Sequence, residues 1–243
     1  MIAALVRILS ALVLVSLPLT VSAQTAPPPA NVAATELRQL TTDARTEIDA
    51  YLAAGGALGA PDHPAVKWDA ALWEFRQRNA GTEAAAMAAV EATRLLVRAE
   101  LWDRAHARID SIDVDDPTWQ RLAYVVYEVG IARKDLPYAV EHLSRVAAAT
   151  RIPAIKAAVL VAMGRAHRRA GDPAAATSAL EAARAAAPGS APARDAEGLI
   201  YEIEHLSVGM PAPAIVGKAR NGGTVDLAAF RGKAVVVIFW GST

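Results

Sequence analysis

The sequence predicts a mainly α chain of stacked helical hairpins, followed by a short β unit of different character. Three observations predict it. Alanine fills 57 of the 243 positions while Phe, Trp and Tyr together make up 5%, which suits closely packed helices better than an aromatic-rich β-sandwich. Between about Asn31 and Leu206 the apolar residues recur with the helical period and show no strand alternation. After Ser207 that period is lost and Pro, Gly and β-branched residues take over.

Composition narrows the functional classes. Hydrophobic residues form 53% of the chain, enough for a sizeable core. Lys and Arg number 25 against 25 Asp and Glu, so the basic footprint of a nucleic-acid binder is missing. The 243 residues include no cysteine, which excludes a disulfide framework, a thiolate metal site and thiol chemistry by these residues.

Residues 1–23 carry the three parts of a secretory signal: Arg7, an apolar run from Ile8 to Leu19 broken by Pro18, and Val21-Ser22-Ala23 with small residues before Gln24. We expect cleavage there, export to the periplasm and no stable membrane insertion afterwards. Residues 24–33, with Pro27, Pro28 and Pro29, read as an extended spacer.

The helical domain is expected over residues 34–206. Gly55-Gly56 and Gly59-Ala60-Pro61 stop a first helix over 34–54. Gly81-Thr82-Glu83 separates a helix bearing Trp68 and Trp73 from the next, with Thr82 as N-cap. Asp116-Pro117 and Asp172-Pro173 each place a carboxylate before a proline suited to the first helical position. Trp68, Trp73 and Trp102 are expected in the core. Residues 191–206 read as a closing helix with Ile200, Ile203 and Leu206 on its buried face.

One segment is repeated. Leu160, Met163, Gly164 and His167 mark a helix, Gly171-Asp172-Pro173 turns the chain, Ala176, Leu180 and Ala183 mark a second helix, and Pro188 closes the unit. Gly164 and Ala176 let the two backbones approach. Ala105, Ile109, Ile112 and Pro117 repeat the spacing, and Ala139, Leu143 and Val146 repeat its first part; the alanines lie 34 and 37 residues apart. This pattern resembles the tetratricopeptide repeat, with Leu160 in place of the usual aromatic. The resemblance implies a groove for a peptide or protein. Arg165, Arg168 and Arg169 could meet an acidic partner there, or form a solvated face.

The last segment, residues 207–243, has its own pattern. Val208-Gly209-Met210-Pro211-Ala212-Pro213 cannot be helical, and residues 214–217 and 224–227 read as a hairpin turning at Asn221-Gly222-Gly223. The continuous apolar run over 234–240 reads as a strand buried on both faces. In that order, with Phe230-Arg231-Gly232-Lys233 before the strand and Phe239-Trp240 ending it, the segment resembles the opening of the thioredoxin-like fold. It is most similar to the TlpA/ResA group of exported thiol-disulfide oxidoreductases. The resemblance implies a Cys-x-x-Cys directly after Phe239, Trp240, Gly241, Ser242 and Thr243, so that these five residues approach the active site and the chain is an incomplete thioredoxin-like unit. It implies a protein thiol or disulfide as substrate, and no cofactor. At a helix N-terminus the first cysteine would be held as thiolate and would attack a substrate disulfide. A peroxiredoxin-like enzyme is the alternative within that fold, disfavoured because Phe239-Trp240-Gly241 lacks a loop proline. A secreted helical scaffold without enzymatic role is the alternative from another class.

No other constellation carries chemistry. His63, His106, His142, His167 and His205 stand singly without helical partners, so no His-Glu-x-x-His zinc pattern exists. Neither Gly55-Gly56-Ala57-Leu58-Gly59 nor Gly232-Lys233 has the context of a nucleotide-binding loop.

Overall fold

The computed structural model describes residues 30–238. The leader over residues 1–23, most of the spacer, and Phe239 through Thr243 lie outside the described residues. Among the described residues there are nine α-helices: α1 (Ala30–Ala53), α2 (Ala65–Arg78), α3 (Glu83–Arg98), α4 (Trp102–Asp110), α5 (Trp119–Ala132), α6 (Leu136–Ala149), α7 (Pro153–Arg169), α8 (Pro173–Ala186) and α9 (Ala191–His205). A two-stranded sheet follows, β1 (Val216–Lys218) and β2 (Thr224–Asp226). No helix among the described residues is long and apolar enough to cross a membrane.

α1 starts earlier than expected, so residues 30–33 are helix and not spacer. The cause is packing. Ala33, Leu37 and Leu40 continue one helical stripe, and fully buried Ala33 joins Leu72, Phe75, Ala88 and Ala92 in a core between α1, α2 and α3.

From α3 onward the chain repeats one local plan. α3 packs on α4, α5 on α6, and α7 on α8, while α3, α5, α7 and α9 touch in succession to form a continuous row. Each of the three hairpins turns through one residue in the left-handed region: Glu100 (φ 58), Lys134 (φ 57) and Gly171 (φ 84). The next amide always bonds back five residues: Leu101 N to Leu96 O, Asp135 N to Gly130 O, and Asp172 N to His167 O. The left-handed residue itself donates to the carbonyl three residues before it, at Val97, Ile131 and Arg168. This pair of bonds satisfies carbonyls that the helix end leaves open. Ala105, Ala139 and Ala176 each follow five residues later and are fully buried, as are Ile109, Leu143 and Leu180. Burial of each of these larger side chains contributes about 1.5–3 kcal/mol.

Close helix approach is built into two of the hairpins. A Cβ on Gly164 would lie 2.6 Å from Leu180 Cγ and 3.3 Å from the Ala176 carbonyl, and one on Gly130 would lie 2.7 Å from Ala139 Cβ. Leu180 and Ala183 pack with Val161, Ala196, Leu199 and Ile200 of the neighbouring helices. Pro188 lies exposed in the turn between α8 and α9, where Gly189 and the N-cap Ser190 start the next helix. Caps follow the sequence where a hydroxyl or carboxylate precedes the helix: Thr82, Asp135, Asp172 and Ser190 each accept from an amide three residues on.

Three further expectations about the helical part are corrected. Asp116 does not cap a helix, because α5 begins only at Trp119; its carboxylate accepts from the Thr118 amide and pairs with Arg76. Leu206 is 48% exposed, since it follows the last turn of α9, and Leu199 is buried in its place. Trp68, Trp73 and Trp102 are only partly buried, although Trp73 and Trp102 pack against the main core cluster. Small-residue crossings leave little room for indoles, so these rings lie at the margins under cations: Arg76 and Arg108 over Trp73, Lys67 over Trp68 and Arg133 over Trp102. Among the described residues, Trp119 is the indole that the core fully encloses.

In the β unit, Val216 pairs with Asp226, Gly217 with Val225 and Lys218 with Thr224 in antiparallel register. Gly222 (φ 84) makes the turn, and a short 3-10 helix over Leu227–Phe230 follows, capped by Asp226. The expected strand over 234–240 is not formed in its described part. Residues 234–238 have no ladder partner, and Val236 and Ile238 are 86% and 76% exposed. A strand buried on both faces needs flanking strands, and the hairpin does not supply them.

Candidate functional site

The row of helices α5, α7 and α9 carries a groove of about 180 Å³. Its residues come from single helix faces: Gln120 and Tyr124 at i and i+4 on α5, Ala158, Ala162 and Arg165 at i, i+4 and i+7 on α7, and Pro192 and Asp195 on α9. The floor is of the small side chains Ala123, Ala158 and Ala162, which let α5 and α7 approach closely. Tyr124 stands 44% exposed at the wall, with the Arg165 guanidinium 5.8 Å from its ring centroid. Among the described residues Arg165 and Asp195 have no ion-pair partner. One rim position thus offers a cation on an aromatic face and another a carboxylate, with apolar surface between. Such an arrangement can hold an extended peptide; it contains no nucleophile–base pair.

The three expected arginines separate along α7. Arg168 binds Glu202 of α9, Arg169 lies beside the α5–α6 turn near Lys134, and only Arg165 faces the groove. Of the predicted repeat-packing residues, Gly164, Ala176, Leu180 and Ala183 lie together under α7 and α8, whereas Pro188 stands apart in its loop.

A second cluster was not anticipated. On α4, Trp102, His106 and Asp110 lie at i, i+4 and i+8, and on α6, Tyr138, His142 and Arg145 lie at i, i+4 and i+7. The two faces meet. His106 stacks on Tyr138 with centroids 4.6 Å apart, His142 Nε2 lies 3.0 Å from Asp110 Oδ1, and Arg145 donates to the same oxygen at 2.8 Å. Arg133 covers Tyr138 and reaches His106 Nε2 at 3.0 Å. Burial, reinforced by Arg145, pushes the His142 imidazole below its ordinary pKa, and burial with Arg133 does the same to His106. Burial would raise the Asp110 carboxyl, but the Arg145 bond and the His142 charge hold it low. Burial, aided by Asp110, pushes the Tyr138 hydroxyl up to about 12, and that hydroxyl has no hydrogen-bond partner among the described residues. The cluster ties one hairpin to the next. Each histidine stands alone in sequence; the signal that could have found the pair is the matched i, i+4 spacing on neighbouring repeats.

Among the described residues no group of three or more His, Cys, Asp or Glu is placed to hold a metal ion. Phe239, Trp240, Gly241, Ser242 and Thr243, the expected approach to a thiol site, lie outside the described residues. Comparison of the chain with protein-family models, with curated proteins and with solved structures finds no match.

Proposed function

We propose that the helical part is a tetratricopeptide-like protein-binding array whose groove over α5, α7 and α9 takes an extended segment of a protein partner. The observation that carries this reading is the recurrence, three times in register, of a left-handed turn residue at Glu100, Lys134 and Gly171 with a buried alanine five residues later. Stacked copies of one hairpin generate a continuous groove. The test is a random-peptide display library panned on the purified chain. We expect an enriched peptide family whose binding falls at least about tenfold with Arg165→Glu and with Tyr124→Ala, the range for loss of one charged or aromatic anchor. Failure to enrich any family, or binding unchanged in both variants, overturns the groove.

We further propose that the array serves an exported, periplasmic thiol-disulfide oxidoreductase of the TlpA type, to which residues 207–243 contribute the opening of the thioredoxin-like unit. The hairpin register and the exposed apolar run Val235-Val236-Val237-Ile238, which is suited to cover by further strands, support this reading. The exchange chemistry itself is not carried by these 243 residues, which contain no cysteine; the competing reading is a binding scaffold without redox role. Reading the gene beyond codon 243 separates them. An in-frame Cys-x-x-Cys supports the oxidoreductase, and a stop codon leaves the scaffold.

A further inference from the structure

A cavity of about 180 Å³ opens between α1, α3 and the loop over residues 54–64, toward the other end of the array from the groove. Its loop is held in place. Gly55 turns in the left-handed region and the ring of Tyr51 packs over Gly56, where a Cβ would overlap that ring. Gly59 N donates to Ala99 O at 2.7 Å, and the Tyr51 ring meets His63 edge-on with centroids 4.8 Å apart.

His63 lines the cavity and is 1% exposed. Its Nδ1 accepts from the Ala65 amide at 3.1 Å, so the ring proton of the neutral imidazole belongs on Nε2. Nε2 is buried with no partner among the described residues. An unpaired buried donor is costly, and an acceptor brought by a ligand would relieve it.

The walls add two further preferences. Ile48, Leu52, Leu58 and Leu95 make them apolar, and Leu52 and Leu58 remain 41% and 47% exposed at the rim. Four charged side chains, Arg45, Asp49, Glu91 and Arg98, also line the site. Glu91 is occupied by Arg94 at 3.4 Å. The other three have no ion-pair partner among the described residues, which leaves two guanidinium groups against one carboxylate. The polar need is thus an anion that accepts hydrogen bonds, and the remainder is aliphatic.

We propose that this cavity is a binding site for a small aliphatic carboxylate, its chain against Leu52, Leu58, Ile48 and Leu95, its carboxylate accepting from His63 Nε2 and drawn by Arg45 and Arg98. The site is independent of the peptide groove. The test is isothermal titration of the full chain with octanoate, with octanol as the uncharged comparison. We expect saturable one-to-one binding of octanoate, at least about tenfold tighter than octanol, since a charge-assisted bond is at stake. Arg98→Gln, at an exposed position, should remove most of that preference, and Leu58→Arg, also exposed, should abolish binding of both probes. His63 is too buried for its variants to be decisive alone, so its Cε1–H resonance is followed in the wild-type chain and should shift on titration. No saturable binding, equal affinity for octanol, or an unchanged Leu58→Arg variant overturns the proposal.

Discussion

Single residues decide where this backbone turns. Glu100 and Lys134 take a left-handed conformation that Gly171 takes at the third equivalent site. An L side chain there costs about 1–2 kcal/mol, while glycine loses up to about 1 kcal/mol more chain entropy on folding. Lys134→Gly is therefore expected to stabilise by about 0.5–1 kcal/mol in urea unfolding, and Gly171→Ala to destabilise by a similar amount. The same reasoning separates two helical glycines. Gly164→Ala drives a methyl into Leu180 and should cost about 1–3 kcal/mol, whereas Gly198 has open space around it and Gly198→Ala should gain about 0.5–1 kcal/mol. Equal signs at the two positions would contradict the packing described. Tyr138 buries an unpaired hydroxyl, so Tyr138→Phe is expected to hold or raise stability. That variant should also flatten the loss expected as pH rises above 10.0, where the unfolded phenol ionises and the folded one, shifted to about 12, does not. On the acid side the sign is opposite in pH. His142 has a lowered folded pKa, so its contribution is present above the ordinary imidazole pKa of about 6.5 and is lost as pH falls through and below it. The thermal midpoint should drop between pH 7 and pH 5, and His142→Gln should shrink that drop.

At the scale of elements, caps and crossings set helix limits. Asp172 accepts from the Ala175 amide at 2.9 Å with Pro173 in the first turn, and Asp172→Ala should cost about 1 kcal/mol by urea unfolding. Asp116-Pro117 carries the same signal in sequence and has another use. Its carboxylate is taken by Arg76 across the fold, and the helix waits until Trp119. The local pattern was thus legible in both cases, and a long-range partner reversed one of them. Another long-range pair, Asp69 with Arg108, is bidentate at 2.7 and 2.9 Å, with Asp69 only 3% exposed. Nothing in the spacing of 39 residues announces it, because an ion pair between hairpins has no local period. Removing Asp69 leaves a partly buried guanidinium uncompensated, and Asp69→Ala should cost about 3 kcal/mol or more.

For the whole molecule, stability resides in the helices. The described residues after α9 are nearly all exposed, while the three buried clusters lie entirely within α1 to α9 and their connections. A fragment of residues 30–206 is expected to keep the helical circular-dichroism spectrum and the thermal midpoint of residues 30–238, and limited proteolysis should cut first within 207–238. A midpoint lowered by several degrees in the fragment would mean that the β unit docks on the helices.

By itself the sequence determined what depends on neighbours a few residues apart. The helical period, the caps at Thr82 and Asp172, the hairpin turn at Asn221-Gly222-Gly223 and the threefold spacing of Ala105, Ala139 and Ala176 are all local, and residues within one or two turns decide them. Gly164 and Ala176 were legible as a close crossing for the same reason. Tertiary structure alone decided what depends on which helix faces meet. It left Trp73 under two guanidinium groups, brought both His106 and His142 against the ring of Tyr138, sent only Arg165 of three arginines to the groove, and enclosed His63 without a partner for Nε2. Those outcomes arise between segments tens of residues apart, where the energy of an arrangement lies in the fit of surfaces that no single stretch of chain contains.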